Sequence, residues 1–408
     1  MASLRSSFRH IRLFSTTSHP TNPLSLSSVK SKLRAEHDPD KALEIYKTVS
    51  NNKNYTSPLA SRYTQDLTIK RLAKSKRFED IQTLINSHKN DPKIKQENFF
   101  STLIRSYGIA GMCESALKLY GEMEELGTPR SSISFNALLV AYNFSRKFDE
   151  VPKLFSDMSE KYGIVPDKIS YGILIKAYCE LSLPESAFSV MKKMDAKGIE
   201  ITAIAYTTIL DSLYKNDKIE EAEKLWKDMI EKGCLPDVCA YNVRIMNAHR
   251  GKPEGVLGII DEMSNAGLKP NIISYNYLFT CYCKNGMVDE AKKVYRDLVE
   301  NGCSPNAATY RLHIDCLCKN GEFEEAYKIF KKSVNKDKIP AFGTIRVLVE
   351  GLVKDKKRKE AREFIRTVKK KFPNNFLNAW KKLEVELGLN MDEESSAQEK
   401  PSAVAAAP

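Results

Sequence analysis

The chain has 408 residues, and 42% of them are hydrophobic, enough for an extensive core and too many for wholesale disorder. It holds no run of about 18 uninterrupted apolar residues, which excludes a membrane-spanning helix. Lys and Arg total 64 against 52 acidic residues, a net charge of +12 that favours an anionic partner, nucleic acid before a membrane surface, and nine cysteines are too few for a disulfide scaffold. An odd cysteine count suits a reducing compartment. The length suggests two or three domains unless the chain is a repeat array.

The first element is an address. No Asp or Glu precedes Glu36, while Arg5, Arg9, Arg12, Lys30, Lys32 and Arg34 stand among many serines. An Arg-rich, Ser-rich, acid-poor start is the composition of an organelle transit peptide. Arg5, Arg9 and Arg12 recur at helical spacing, with Leu4, Phe8, Ile11 and Phe14 as the apolar complement. Arg12-Leu-Phe-Ser15 resembles a mitochondrial processing site cut after Phe14, making 1–14 the presequence, extending at most to about residue 23. Its removal deletes three arginines and leaves the charge at +9, so the basic character belongs to the mature chain.

From there the sequence repeats. An aromatic recurs at Phe100, Phe135, Tyr171, Tyr206, Tyr241, Tyr275 and Tyr310, at intervals of 34 to 36 residues. Sixteen residues after most of them comes a small residue, Ala116, Ala187, Ala222, Ala291 or Ala326, with Val151 in one copy. Met123, Met158, Met194, Met229, Met263 and Leu298 follow, and Pro166, Pro236, Pro270, Pro305 and Pro340 close units. The units fall at 62–96, 97–131, 132–167, 168–202, 203–237, 238–271, 272–306, 307–341 and 342–376. A degenerate copy occupies about 24–61, on the strength of Asp40-Lys-Ala-Leu-Glu-Ile-Tyr46. In 272–306, Tyr275, Leu278, Phe279 and Tyr282 give one helix an apolar face, and Asn285-Gly286 ends it. Ala291, Val294, Tyr295 and Leu298 give a second helix another, and Gly302 and Pro305 break the chain. Neither helix buries its apolar side alone, so neighbouring units must stack into an α-solenoid.

Units such as AIAYTTILDSLYKNDKIEEAEKLWKDMIEKGCLPD (203–237) resemble the pentatricopeptide repeat of plant organelle RNA-binding proteins. The resemblance covers about 24–376. It implies an all-α, right-handed solenoid of about ten stacked helix-turn-helix repeats. Uniform unit length resembles the pure, non-editing subclass. Tetratricopeptide repeats would place Trp and Leu-Gly early in the first helix, whereas Trp226 lies in a second. The stretches LRAEHDPDKALEIYKTVS (33–50), STLIRSYG (101–108), PDKISYGILIKAYC (166–179) and YNVRIMNA (241–248) further resemble the short plant members found in the mitochondrial ribosome's small subunit.

The resemblance implies that the fifth and last residues of a repeat meet one base between them. Asn136 with Asp167 would prefer U, and Thr207 with Asp237 would prefer G. Asn242 with Asn271, and Asn276 with Asn306, would prefer a pyrimidine. The second residues Ile133, Ile169, Ile204 and Ile273 would sandwich the bases. The alternative is that these Asn and Asp residues only cap helices and turns. Gly172 with Thr202, Arg311 with Ala341, Asp66 with Gln96, and Ser101 with Ser131 depart from the pattern. What remains reads U-x-G-Y-Y, a site recurring about once per 64 nucleotides. That is too frequent to select one transcript and favours an RNA already fixed in place.

Lys74, Lys215, Lys284, Lys319 and Lys354 recur at the thirteenth position, where the resemblance implies phosphate contact and the alternative is that they complement a helix C-terminus. A denser patch at 354–371 carries ten cations against three acids. Its candidate phosphate contacts are Lys354, Lys356, Lys357, Arg358, Arg362, Lys369 and Lys370, joined by Lys215, Lys284 and Lys319. Cys281, Cys283, Cys316 and Cys318 form two C-x-C pairs, but residues two apart on a helix diverge by about 200°, so neither pair closes a zinc site. Free buried thiols are expected there and at Cys179, Cys234 and Cys303. No deaminase signature, phosphate-cradling loop or nucleophile elbow occurs. A final helix around Asn378–Leu387, within 377–390, would cap the array with Trp380 and Leu383 inward, and the Ser/Ala-rich acidic tail 391–408 reads as disordered.

The expectation is a mitochondrial matrix RNA-binding protein, not an enzyme, without cofactor, metal, membrane or small-molecule substrate. Its partners would be rRNA and mitochondrial ribosomal proteins. The alternatives are a free factor acting on the stability, processing or translation of one mRNA, and a protein–protein scaffold without RNA contact.

Overall fold

The computed structural model describes residues 26–36, 38–50, 58–336, 338, 341–371 and 377–389. The expected presequence at 1–14, the tail at 391–408 and Pro340 lie outside the described residues. Among the described residues the regular structure is α-helix with two short 3-10 turns, and there is no strand. The chain divides into two compact units, Met1–Ala205 and Tyr206–Pro408.

The first unit contains α1 (Leu26–Ala35), α2 (Pro39–Ser50), α3 (Pro58–Lys74), α4 (Phe78–Ser87), α5 (Glu97–Ile109), α6 (Cys113–Gly121), α7 (Ser132–Phe144), α8 (Val151–Lys161), α9 (Lys168–Glu180) and α10 (Pro184–Ala196). The division falls at the start of α11 (Ala203–Lys215). The second unit continues with α12 (Ile219–Glu231), α13 (Val238–Ala248), α14 (Pro253–Asn265), α15 (Ile272–Lys284), α16 (Val288–Glu300), α17 (Ala307–Lys319), α18 (Phe323–Asn335), α19 (Phe342–Lys354), α20 (Arg358–Lys371) and α21 (Leu377–Glu386).

Within each unit the helices pack as antiparallel pairs, and the periodic residues explain why. Phe100, Phe135 and Tyr171 are buried in the first unit, and Tyr206, Tyr241 and Tyr310 in the second, while Tyr275 is half-buried. Ala116, Val151, Ala187, Ala222, Ala291 and Ala326 are wholly buried, because a small side chain lets one helix approach the next closely. Met123, Met194, Met229, Met263 and Leu298 fill the remaining gaps, and Met158 is half-buried. Burying each large side chain contributes about 1.5–3 kcal/mol.

The turn inside a pair needs a left-handed residue. Gly286 takes it at φ 72°, at no steric cost. The same slot elsewhere holds Lys76, Arg146, Ser182, Asp217 and Lys356, at φ between 55° and 61°. At the N-terminal end, Arg71 donates to the carbonyls of Leu33 at 2.7 Å and Arg34 at 3.2 Å, tying the last turn of α1 to α3. At the C-terminal end, Trp380 and Leu383 of α21 are buried, with the Trp380 ring 4.6 Å from Phe342.

Candidate nucleic-acid interface

The last residue of a repeat is the N-cap of the next first helix. Asp167 caps α9, accepting from the N–H groups of Ile169 (2.9 Å) and Ser170 (2.8 Å). Asn271 caps α15 through Ile273 (2.9 Å) and Ser274 (3.2 Å), Asp237 caps α13 through Ala240 (2.9 Å), and Asn306 caps α17 through Thr309 (2.9 Å). The fifth residue sits one turn into its own first helix and faces this cap. Asn136 Nδ2 donates to both carboxylate oxygens of Asp167, at 3.1 and 3.3 Å. Asn242 Nδ2 donates to Asn271 Oδ1 at 3.3 Å. Capping and pairing are therefore properties of the same side chains in these two repeats.

Partial burial works against the Asp167 charge, but the Ser170 N–H and the Asn136 amide outweigh it and hold its carboxyl below the usual range. Asn276 and Asn306 are not joined in this way, and Asn276 Oδ1 is buried without a hydrogen bond. Thr207 is half-buried on α11. A Cβ on Gly172 would meet nothing within 4 Å, so that slot is open space.

Ile133, Ile169, Ile204 and Ile273 are all exposed, by 45%, 58%, 73% and 46%. Each stands second in a first helix, and the caps hold the N–H groups of Ile133, Ile169 and Ile273. Four large apolar side chains left in water at one recurring slot are available to stack on a planar ligand.

The basic candidates divide. Lys215, Lys284, Lys319 and Lys354 each end a first helix, as a cation near the C-terminal dipole should. Lys215 pairs with Asp211 at 2.5 Å, and Lys284 Nζ lies 3.3 Å from His249 Nε2. In the C-terminal patch, Lys357 pairs with Glu324, Lys369 pairs with Glu384 at 2.5 Å, and Arg358 donates to the Gly388 carbonyl at 3.2 Å. Arg362 is half-buried. Lys354, Lys356 and Lys370 are exposed.

One expectation is corrected. Cys283 and Cys316 are joined as a disulfide between α15 and α17, with Cα atoms 5.9 Å apart, rather than standing as two free thiols. Their separation of 33 is one repeat less two residues, which faces the two slots across adjacent first helices. Cys281 and Cys318 are buried thiols, and burial raises the Cys318 pKa to about 12. Cys179, Cys234 and Cys303 are only half-buried. No cluster suited to a metal ion occurs among the described residues, and no described helix is long and apolar enough to cross a membrane.

Several structural residues escaped sequence reasoning. Arg244 donates to both carboxylate oxygens of Glu262 at 2.9 and 2.8 Å and lies 4.3 Å from the centre of the Trp226 ring, which explains a Trp in a second helix. His313 is buried between Phe279 and Tyr295, with neither ring nitrogen hydrogen-bonded. Ser170 and Ser274 carry no signal beyond that of capping-box residues.

These elements define an all-α helical-repeat protein with polar pairs and exposed isoleucines at the starts of its first helices. A model described as the PPR repeat family matches residues 130–180, 166–215, 201–248 and 270–319, and one described as the PPR repeat matches 99–128 and 309–337. The chain is 55% identical over 397 residues to the small ribosomal subunit protein mL103 (rPPR7) of Arabidopsis thaliana, covering 95% of this chain and 96% of that protein. It is 52% identical over 398 residues to a mitochondrial pentatricopeptide repeat-containing protein of the same plant, covering 95% and 94%. It is 36% identical over 173 residues to that plant's small ribosomal subunit protein mS78 (rPPR3a), covering 42% of each. The chain belongs to the pentatricopeptide repeat family.

Proposed function

We propose that this chain is an RNA-binding component of the mitochondrial ribosome's small subunit, holding rRNA and neighbouring ribosomal proteins in support of translation. The observation that carries the reading is the near full-length similarity to a small ribosomal subunit protein at 55% identity. The sequence supports the same direction: an Arg-rich, acid-free start for import, and a short degenerate code that cannot by itself select one message. The work is binding and positioning, not covalent chemistry. Asn136–Asp167, Thr207–Asp237, Asn242–Asn271 and Asn276–Asn306 would meet base edges. Ile133, Ile169, Ile204 and Ile273 would stack on bases, and the exposed lysines would meet phosphates. The fifth and last residues keep hydrogen-bonding capacity beside an exposed isoleucine, which supports RNA contact over a pure protein scaffold.

A second reading has its own support, since the 52% identical relative is named only as a mitochondrial pentatricopeptide repeat-containing protein. Gradient sedimentation of a mitochondrial lysate at low salt separates the two. The expected outcome is a peak with small ribosomal subunits. A peak confined to light, ribosome-free fractions would replace this reading with that of a free transcript factor.

A further inference from the structure

Two repeats in different units of the chain share a three-residue network whose third member has no assigned role. In the first, Ser170 Oγ lies 2.6 Å from Asn136 Oδ1; in the second, Ser274 Oγ lies 2.6 Å from Asn242 Oδ1. The chemistry of the partners fixes which way each amide faces. Asp167 is a carboxylate and can only accept, so the amide atom against it must be Nδ2. Asn271 Oδ1 already accepts from the N–H groups of Ile273 and Ser274, so the atom against it must also be a donor, Nδ2 of Asn242. The amide oxygen of each fifth residue is thereby turned to the serine. The serine hydroxyl accepts the backbone N–H of its own cap residue, at 3.1 Å from Asp167 and 3.2 Å from Asn271. Its single proton has two acceptors in reach, the cap oxygen at 3.1 Å on Asp167 or 3.4 Å on Asn271 and the asparagine oxygen at 2.6 Å, and the shorter contact is the one to the asparagine.

We propose that Ser170 and Ser274 are positioning residues for base reading: each holds the asparagine of the preceding repeat so that an N–H, not the oxygen, is what remains for the base. Asn136 and Asn242 have the oxygen engaged by the serine and one Nδ2 hydrogen committed to the cap, which leaves the second hydrogen as a donor. Beside Asn136, the Asp167 carboxylate adds an acceptor, a combination that suits the O4 and N3–H of uracil. Beside Asn242, the Asn271 oxygen is taken and its Nδ2 adds a second donor, which suits the O2 and N3 acceptors of cytosine. The other repeats supply the contrast. Thr309 occupies the serine slot of the next repeat and keeps the contact to its cap, 3.1 Å from Asn306, that both serines also make, but it makes no bond to Asn276, whose Oδ1 is left buried and unbonded. Ala240 occupies the slot behind Thr207 and has no hydroxyl to offer.

The proposal rests on the base-reading assignment above, and the test separates the two. The full chain is titrated with a short single-stranded RNA carrying U-A-G-C-C, and with versions in which only the first or only the fourth base is changed. The wild type should discriminate at both. Ser170→Ala should lose roughly three- to tenfold of the discrimination at the first base, the size of one net hydrogen bond, and keep that at the fourth. Ser274→Ala should do the reverse, and Ser170→Thr should share the loss at the first base, because a threonine in this slot gives its hydroxyl to its own cap, as Thr309 does. If Ser170→Ala fails to fold by circular dichroism, Ser170→Cys keeps the volume with a weak donor and should show the same local loss. A folded Ser170→Ala or Ser170→Cys protein with wild-type discrimination at the first base, or with equal losses at both bases, overturns the positioning role. A wild type without preference at either base overturns the base-reading assignment, and the positioning role with it.

Discussion

The repeats at 62–131 and the repeats that begin with Asn136 and Asn242 as fifth residues put polar side chains into related slots and use them differently. In the first group the protein uses most of them, and the one left over, the Ser101 hydroxyl, is buried rather than offered to a ligand. Asp66 pairs with Arg105 at 3.2 Å, and the Arg105 guanidinium lies 5.0 Å from the centre of the Phe144 ring. Burial pushes the Asp66 carboxyl up, with Arg62 and Lys70 opposing it. Gln65 donates to Ser106 at 2.9 Å, and one Glu97 oxygen accepts from the N–H groups of Ser131 at 2.7 Å and Ser134 at 3.0 Å. Backbone geometry matches, for a Cβ on Gly108 would collide with the backbone of Ala141, so α5 and α7 touch where no other residue fits. In the second group one donor or acceptor per side chain is left over beside an exposed isoleucine. On the proposed assignment, a slot in a repeat can serve as a reader only where its hydrogen-bonding capacity exceeds what the fold itself uses; where the fold uses all of it, the slot is a brace.

The largest expected effect tests the reading repeats. Tyr241 is buried with its ring 5.0 Å from Trp226. Tyr241→Ala should cost about 3–5 kcal/mol, and the damage should spread to adjacent repeats because neighbour interfaces carry the cooperativity. Thermal unfolding checks it; an unchanged midpoint would mean that the stacking assigned to α12 and α13 is wrong.

The next contrasts two histidines. His88, in the bracing region, has Nε2 3.1 Å from the Tyr46 hydroxyl, whereas His313 makes no hydrogen bond. Burial lowers the His313 pKa from 6.5 to about 4, helped by Lys292 and Lys332 and opposed by Glu322. The unfolded chain therefore binds a proton that the folded one refuses between those values. The stability this neutral ring provides is complete above about pH 6.5, is lost as pH falls, and levels off below about 4. The loss is on the order of 3 kcal/mol. His313→Phe should flatten that limb in melts taken from pH 7 to 4, and a limb of unchanged slope would assign the acid sensitivity elsewhere.

Gly108→Ala sharpens the comparison further. Its methyl would meet the Ala141 backbone, so the helices must separate, at about 1–3 kcal/mol. Stability should fall while discrimination at the fourth base of U-A-G-C-C stays intact. Loss of that discrimination would show that bracing and reading are not separable.

Much of this was legible in the sequence, for a physical reason. Aromatics, small residues and turn glycines at intervals of 34 to 36 are local constraints repeated, and each copy reports on the others. The asparagine and aspartate pairs were legible by resemblance and as caps. What was not legible depends on contacts across repeats. Asp66 and Arg105 lie 39 residues apart, one repeat plus one helical turn, so they occupy unlike slots that an alignment of repeats does not set against each other. Cys283 and Cys316 face each other two residues out of register, so alignment of like slots set Cys283 against Cys318 instead. Ser170 was legible only within its own helix, as the third residue after a cap, and its bond to Asn136 crosses to the repeat before it.

The smallest expected effect separates bracing from phosphate contact in the C-terminal patch. A lysine already neutralised by the protein has little charge left to displace counterions from RNA. Lys357 and Lys369 are held by Glu324 and Glu384, so Lys357→Gln and Lys369→Gln should leave the salt dependence of RNA binding where it is. Lys356 and Lys370 are exposed, and Lys356 sits at φ 61° in the turn between α19 and α20. Lys356→Gln and Lys370→Gln should each lower the slope of log K against log salt by about 0.7 if the bound strand is single. Between 50 and 200 mM salt that is about a two- to threefold difference in how far affinity falls. Titration of the full chain against one RNA at several salt concentrations measures it. Equal slopes for all four variants and the wild type would assign the patch to a protein neighbour rather than to phosphate, leaving the central repeats as the site of RNA contact.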